Sequence, residues 1–416
     1  MIDLPGLSGG NRYVRAALAL LLVGLWPIAS GFAQKTPPKK TTVAVKSEPT
    51  EPRAEKTVGF PKDAGPHDGA AHIEWWYFNT FVKTETGRNL AIVGSFFRTG
   101  LSATKKGHYL IFSKIDLETG EHDSYSILDR NEIGQLTSVV ALAASARPDD
   151  PRPMRLLRQL QRGELPAPHQ LLNGNAVVSK SDLFSIAFEN NTLSQVSADG
   201  RKWNVQLNGE DWMLDLHLSQ PDRPAMLPGG KGHTGIRRPE DFYYLSLTRM
   251  EASGTLTGGD GVVEKFAGSG WLDRQWGLGD FVTTYGWDWF GLQLDNGDDL
   301  IIDRIREVGT GKIIRYRATL LTAEGKQIVE TEPEIKRTGE AWRDPVSRIA
   351  FPARWEISLP TVGYKLRVTP SFPKQTIPVI GIGDAIWEGA VKVEGADKDG
   401  NLLTGRGFME LVGYHR

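Results

Sequence analysis

The side chains able to do chemistry in this 416-residue chain are carboxylates and arginines set among tryptophans. Trp271-Leu272-Asp273-Arg274-Gln275-Trp276-Gly277 places an Asp and an Arg between two indoles, and Trp287-Asp288-Trp289, Asp303-Arg304 and Trp387-Glu388-Gly389 repeat the pairing of a carboxylate with an aromatic ring or an arginine. His72-Ile73-Glu74-Trp75-Trp76-Tyr77-Phe78-Asn79, read as a strand, puts Glu74, Trp76 and Phe78 on one face and Trp75 and Tyr77 on the other. A carboxylic acid beside an indole suits acid catalysis, and it also suits sugar stacking with two-carboxylate hydrolysis, although no spacing singles out such a pair. A structural reading stands beside these: a Trp closes one end of a barrel while an Arg packs across it. That role is expected for Glu74, Trp76, Arg98, Trp387 and Glu388. Asp273, Arg274, Trp276 and Asp303 fall near the middle of the chain, where a site between two halves would form, and are the catalytic candidates. Trp75, Tyr77, Tyr244, Trp287 and Trp289 are the candidate ligand-binding rings.

Other chemistries find little support. The chain has no cysteine, which removes thiolate catalysis and Cys-ligated zinc. Its eight histidines form neither His-Glu-x-x-His nor His-x-His, so no metal site is expected, and no cofactor either. There is no Gly-x-Ser-x-Gly elbow, Gly309-Thr310-Gly311-Lys312 lacks the phosphate-loop spacing, and Gly381-Ile382-Gly383 lacks the third glycine of a dinucleotide fingerprint. A formal net charge of −1 gives no electrostatic case for nucleic acid.

The elements that must position these residues are strands. Aromatic and β-branched runs at Trp75–Val82, Leu90–Arg98, Tyr109–Ile115, Trp203–Leu207, Trp212–Leu218, Tyr243–Leu256 and Phe266–Trp276 are separated by glycine-rich turns. Only residues 139–170 look different, with Leu156, Leu157 and Leu160 among arginines predicting one short helix. The second half echoes the first. Trp287-Asp288-Trp289-Phe290 repeats Trp75-Trp76-Tyr77, and Arg354-Trp355 repeats Lys202-Trp203. Gly389-Ala390-Val391 repeats Gly254-Thr255-Leu256, and Gly405-Arg406-Gly407-Phe408 repeats Gly268-Ser269-Gly270-Trp271. Four landmarks in one order imply two copies of a β-unit with a boundary near Gly277, each large enough to close a barrel and so remove its exposed edges.

Upstream, Arg12 and Arg15 precede an apolar run from Ala16 to Leu25, Trp26-Pro27 ends it, and Gly31-x-Ala33 fits a cleavage site before Gln34. A signal peptide over residues 1–33 is expected, with the mature protein in the periplasm or secreted. Residues 34–57, rich in Pro, Lys and Thr, read as a disordered linker. The folded units are then 58–277 and 278–416.

Glu74-Trp75-Trp76-Tyr77-Phe78-Asn79, Phe96-Phe97-Arg98, Tyr243-Tyr244-Leu245-Ser246-Leu247-Thr248-Arg249-Met250, Asp273-Arg274-Gln275-Trp276-Gly277 and Trp387-Glu388-Gly389 resemble the AttH/CrtC-like family. That family comprises tandem lipocalin-like proteins, among them carotenoid 1,2-hydratases and predicted secreted hydrolases. The resemblance runs from about Gly69 to the C-terminus. It implies an all-β fold of two tandem lipocalin-like β-barrel domains, with the one short helical insertion in the first. It further implies a lipid, isoprenoid or other apolar small molecule held in or between the barrels, and an envelope transporter complex as partner. The alternative it implies is hydratase or hydrolase chemistry, in which an acid protonates an isolated C=C bond and water adds to the resulting tertiary carbocation. The branch's His-x-Trp aligns with Arg274-x-Trp276 and its Tyr-x-Asp with Ile301-x-Asp303, so Arg stands for His and Ile for Tyr. Asp303 or Asp273 is then the acid, and Trp276 the ring that stabilises the cation.

Overall fold

The computed structural model describes residues 57–68, 71–100, 105–146, 151–179, 183–278, 285–380 and 384–414. The leader expected over 1–33 and nearly all of the linker expected over 34–57 lie outside them.

The chain is nearly all-β and forms two tandem barrel-like domains. The first sheet contains β1 (Ile73–Thr84), β2 (Asn89–Thr99), β3 (Gly107–Asp116), β4 (His122–Leu128), β5 (Gln170–Leu171), β6 (Val177–Ser179), β7 (Ser185–Phe188), β8 (Asn191–Gln195), β9 (Lys202–Asn208), β10 (Trp212–Ser219), β11 (Phe242–Gly258) and β12 (Val263–Gly277). The remaining strands are β13 (Tyr285–Leu294), β14 (Asp299–Glu307), β15 (Ile313–Leu321), β16 (Gln327–Glu330), β17 (Glu334–Arg337), β18 (Trp342–Arg343), β19 (Ala350–Phe351), β20 (Trp355–Leu359), β21 (Tyr364–Pro370), β22 (Thr376–Pro378), β23 (Ala385–Ala396) and β24 (Leu402–Val412). All of these except the β18–β19 ribbon belong to the second sheet.

Both sheets share one topology. In the first, consecutive strands pair from β1 outward to β4, and β12 returns to pair with β1 before the order runs down through β11, β10 and β9. In the second, β13 runs outward to β16 while β24 pairs with β13 and leads to β23, β21 and β20. The four sequence echoes fall on equivalent strands: β1 with β13, β9 with β20, β11 with β23 and β12 with β24.

Side-chain alternation sorts each strand between two environments. Trp76 and Phe78 join Phe112, Phe188, Trp203 and Leu214 inside the first domain. Strands from both ends of the sheet meet in that core, so the sheet curls onto itself. Phe290, Ile302, Trp355, Trp387 and Met409 fill the second domain in the same way. The opposite faces of the central strands meet each other, and Trp75, Tyr77, Trp271, Trp287, Trp289, Ile301 and Phe408 form a third core between the domains. Packing within the first barrel is tight at Gly94, where a Cβ would lie 2.6 Å from Phe78 Cε1. Gly94→Ala is expected to cost about 1–3 kcal/mol through overpacking, read as a lower urea midpoint with unchanged slope.

The helical insertion of the first domain is a pair, α1 (Arg130–Ala146) and α2 (Pro151–Gln161). Asp129 starts α1 by accepting the Glu132 amide hydrogen bond at 2.8 Å. The periodic leucines of α2 are visible in sequence, whereas the Val-Ala run of α1 carries little amphipathic period, which is why one helix was expected and two form. Ile133, Leu136, Val140, Leu157 and Leu160 bury the apolar faces of both helices on the inter-domain core.

Candidate functional site

Two cross-strand rows face each other across the seam. In the first domain the row is Ser95 (β2), Tyr77 (β1), Asp273 (β12) and Ser246 (β11), set by the pairings Tyr77↔Ser95, Tyr77↔Asp273 and Ser246↔Asp273. In the second it is Asp303 (β14), Trp289 (β13), Glu410 (β24) and Glu388 (β23), set by Trp289↔Asp303, Trp289↔Glu410 and Glu388↔Glu410. Position by position, Tyr77 corresponds to Trp289 and Asp273 to Glu410.

Hydrogen bonds knit the rows together. Tyr77 Oη donates to Glu388 Oε1 at 2.9 Å, and Asn79 Nδ2 donates to Tyr77 Oη at 3.2 Å. Trp289 Nε1 donates to Tyr244 Oη at 3.0 Å, and Tyr244 in turn donates to Asp273 Oδ2 at 2.7 Å. Asp273 Oδ1 accepts from Trp271 Nε1 at 2.6 Å and from the Ser246 hydroxyl. Trp287 Nε1 donates to Glu410 Oε2 at 2.8 Å. The Tyr77 and Trp289 rings meet edge-on, 5.5 Å between centroids.

The electrostatics of this cluster set it apart. Four other buried strand carboxylates are matched with guanidinium groups: Glu74 with Arg98 and Arg274, Asp288 with Arg304, Asp299 with Arg223 and Arg249, and Asp303 with Arg315 and Arg317. Asp273, Glu388 and Glu410 have no ion pair among the described residues. Burial pushes the Asp273 carboxyl up to about 7 against three donors that pull it down. Burial pushes Glu410 up to about 7 as well, opposed by the Trp287 bond and assisted by the charge of Asp273. Glu388 is raised well above the usual carboxylate range, by burial first and then by the neighbouring Glu410 charge. Removing a carboxylate from water disfavours its charged form, so these acids hold protons near neutral pH. Glu410 keeps part of its surface accessible, whereas Asp273 and Glu388 are fully enclosed.

A shallow cleft lined by Gly235, Ile236, Arg237, Asp241, Phe242, Leu278 and Tyr285 opens at the rim of this seam. Phe242 stands 5.3 Å from Trp75, and both rings belong to the inter-domain core.

The candidate residues read from sequence divide between the two faces. Trp75, Tyr77, Tyr244, Trp287 and Trp289 all lie in the inter-domain core, and Asp273 stands among them. Asp303 occupies the same row as Trp289 but is engaged by Arg315 and Arg317. Arg274 and Trp276 project from the opposite face of β12 because side chains alternate. There Arg274 lies 4.0 Å over the Trp76 ring and pairs with Glu74, and Trp276 stacks on His67 at 4.1 Å. Glu74, Trp76 and Arg98 gather on this face of the first sheet, and Trp387 lies in the core of the second domain. Glu388 departs from that expected barrel-closing group: one position after Trp387, it turns to the seam. Glu410 and Ser246 were not singled out from sequence. The signal for Glu410 is the repeat carried two residues further, where Phe408-Met409-Glu410 matches Trp271-Leu272-Asp273.

A sequence model of the family described as AttH-like matches residues 167–414. No curated protein sequence matches the chain. Among solved structures, a protein described as AttH from Nitrosomonas europaea is 24% identical with a TM-score of 0.65, over 86% of this chain and 98% of that one. Kievitone hydratase from Nectria haematococca is 16% identical with a TM-score of 0.60, over 86% and 93%. CghA, solved with Sch210972, is 13% identical with a TM-score of 0.50, over 83% and 88%. These are likenesses of fold.

Proposed function

The chain belongs to the AttH-like family, and from that premise we propose that it binds an apolar, unsaturated small molecule between its two domains and adds water to it by acid catalysis. The observation that carries this reading is the set of three deeply placed carboxyls, Asp273, Glu388 and Glu410, with no guanidinium beside them. Glu410, raised to about 7 and the one of the three that keeps accessible surface, is the proton donor. Its proton goes to one alkene carbon as the π bond breaks, and the positive charge left on the other carbon faces the Trp287 and Trp289 rings. Water forms the new C–O bond and gives up a proton, which restores the carboxyl, so the net change is addition of one water. Tyr77 positions Glu388, whose neutral form beside Glu410 adds no second negative charge. A fold likeness to a protein named as a hydratase is consistent with this chemistry. The leader expected over 1–33 would place the reaction in the periplasm or outside the cell.

A second reading, carriage of the apolar molecule without reaction, is favoured by the aromatic lining of the seam. One experiment separates the two. The protein is purified gently, any bound apolar molecule is identified by native mass spectrometry, and that molecule is incubated with fresh protein in ¹⁸O-labelled water. Incorporation of one labelled oxygen is the expected result. A bound ligand returned unlabelled leaves carriage, and no bound apolar molecule together with no turnover of isolated alkenes overturns both.

A further inference from the structure

Two seam-facing hydroxyls are left over by the network described above. Ser95 stands next to Tyr77 in the first-domain row, and the row continues outward through Ile111 on β3 to Ser126 on β4. Ser113 lies two positions beyond Ile111 on β3, on the same face because side chains alternate. Both serines are enclosed, Ser95 at 4% exposure and Ser113 at 0%, and neither hydroxyl has a hydrogen-bond partner. The other hydroxyls of the row are engaged: Tyr77 with Glu388, Ser246 with Asp273, and Ser126 with Tyr109 at 2.8 Å and His169 at 2.6 Å. A buried hydroxyl left unpaired costs stability, so two of them on one face call for a partner from outside the chain.

The surroundings define that partner. The nearby seam-facing positions of the same strands, Ala91 and Val93 on β2 with Ile111 and Ile115 on β3, are apolar, and β22, which packs against β3, brings Ile377. No charged side chain faces the serines from these three strands, so a carboxylate or phosphate would be buried without a counter-charge. A neutral carbonyl or hydroxyl oxygen carries no such penalty and can accept from both serines. Diagonal neighbours on paired strands lie about 7–8 Å apart at the backbone, which lets two side chains converge on one oxygen. We propose that Ser95 and Ser113 hold a neutral oxygen of the molecule bound in the seam, and so favour an oxygenated alkene over a plain hydrocarbon. The inference rests on the reading of the seam as the ligand site and deepens it, but it does not depend on the reaction. It also sets the ligand's layout. Ser95 is one strand spacing from Tyr77 and Ser113 is two, so the oxygen lies about 5–10 Å to that side of the acids, several carbons from the double bond.

The test reads binding and turnover separately. Quenching of tryptophan fluorescence is titrated with geranylacetone, an unsaturated ketone, and with the hydrocarbon of the same carbon skeleton. Each neutral hydrogen bond contributes about fivefold, so Ser95→Ala with Ser113→Ala is expected to weaken ketone binding about 25-fold and to leave hydrocarbon binding unchanged. Because neither hydroxyl has a partner in the free protein, the double variant is expected to melt at or above the wild-type temperature. A melting temperature several degrees lower would make the hydroxyls structural and overturn the proposal. Equal ketone affinity in wild type and variant, or an equal loss for ketone and hydrocarbon, overturns it too. Failure of the wild type to bind either probe overturns it together with the seam as a ligand site. Ketone binding that depends on the serines but is not followed by hydration supports it and removes only the reaction.

Discussion

Glu410→Gln abolishes turnover, lowering kcat by about a thousandfold, while the protein folds as before. The amide keeps the shape of the side chain and a hydrogen-bonding oxygen for Trp287 Nε1 but has no transferable proton. The pH dependence of the wild type carries the same signature. A donor titrating near 7 gives a rate that falls tenfold per pH unit above that value. Stability, like activity, falls as pH rises. The folded-state value of Glu410 lies above its unfolded value, so the native state holds the proton more tightly. Its contribution to stability is therefore full below about 4 and is lost as pH rises through 7. At pH 8 the wild type buries a charged carboxylate that the variant lacks, and Glu410→Gln is expected to be more stable by on the order of 2 kcal/mol. A variant that is dead yet harder to unfold identifies a group retained for chemistry at a cost in stability. A Glu410→Gln protein with wild-type turnover would remove the proposed donor.

Arg274→Ala has the opposite profile, a large loss of stability with turnover per folded molecule preserved. The Arg274 guanidinium is fully buried and donates to the backbone oxygens of Gly65, Trp75 and Gln275, and to Glu74. It also binds the His67 ring and lies over Trp76. Burial works to raise the Glu74 carboxyl, yet Arg274, the His67 bond and Arg98 hold it well below the usual carboxylate range. Such a depressed group stabilises the fold above its unfolded value and loses that contribution as pH falls. Removing Arg274 leaves Glu74 with only part of its partners and takes its hydrogen bonds from three backbone carbonyls, at about 3–5 kcal/mol. Urea unfolding gives the midpoint, and turnover is measured where the variant is still folded. A hundredfold fall in kcat at full folding would return Arg274 to the reacting centre.

Much of the fold was legible because its signals are local. The Glu85-Thr86-Gly87-Arg88 turn, with Gly87 at a φ of 95°, joins β1 to β2, and the alternation of Trp75 and Tyr77 against Trp76 and Phe78 separates seam from barrel interior. The repeat was legible as well, and it contained more than was read: continued through Met409, it points to Glu410. What could not be read was pairing at a distance. Whether Asp303 or Asp273 remains without a guanidinium depends on register, because Arg315 and Arg317 sit on the adjacent strand, and one residue of slip would exchange the faces. The sequence neighbour Arg304 in fact turns to Asp288, inside the second barrel.

The pairing of the first strand of each sheet with its last bears on how the chain reaches this state. Ile73 meets Gly277 and Trp287 meets Val412, so neither sheet can be completed until its final strand has emerged. Until then β1, the most aromatic segment of the molecule, has one side unpaired. Non-local closure of this kind makes folding slow and leaves a sticky edge open to other chains. The first domain waits on roughly two hundred residues and the second on far fewer, so the first domain sets the folding rate and is where aggregation begins during synthesis.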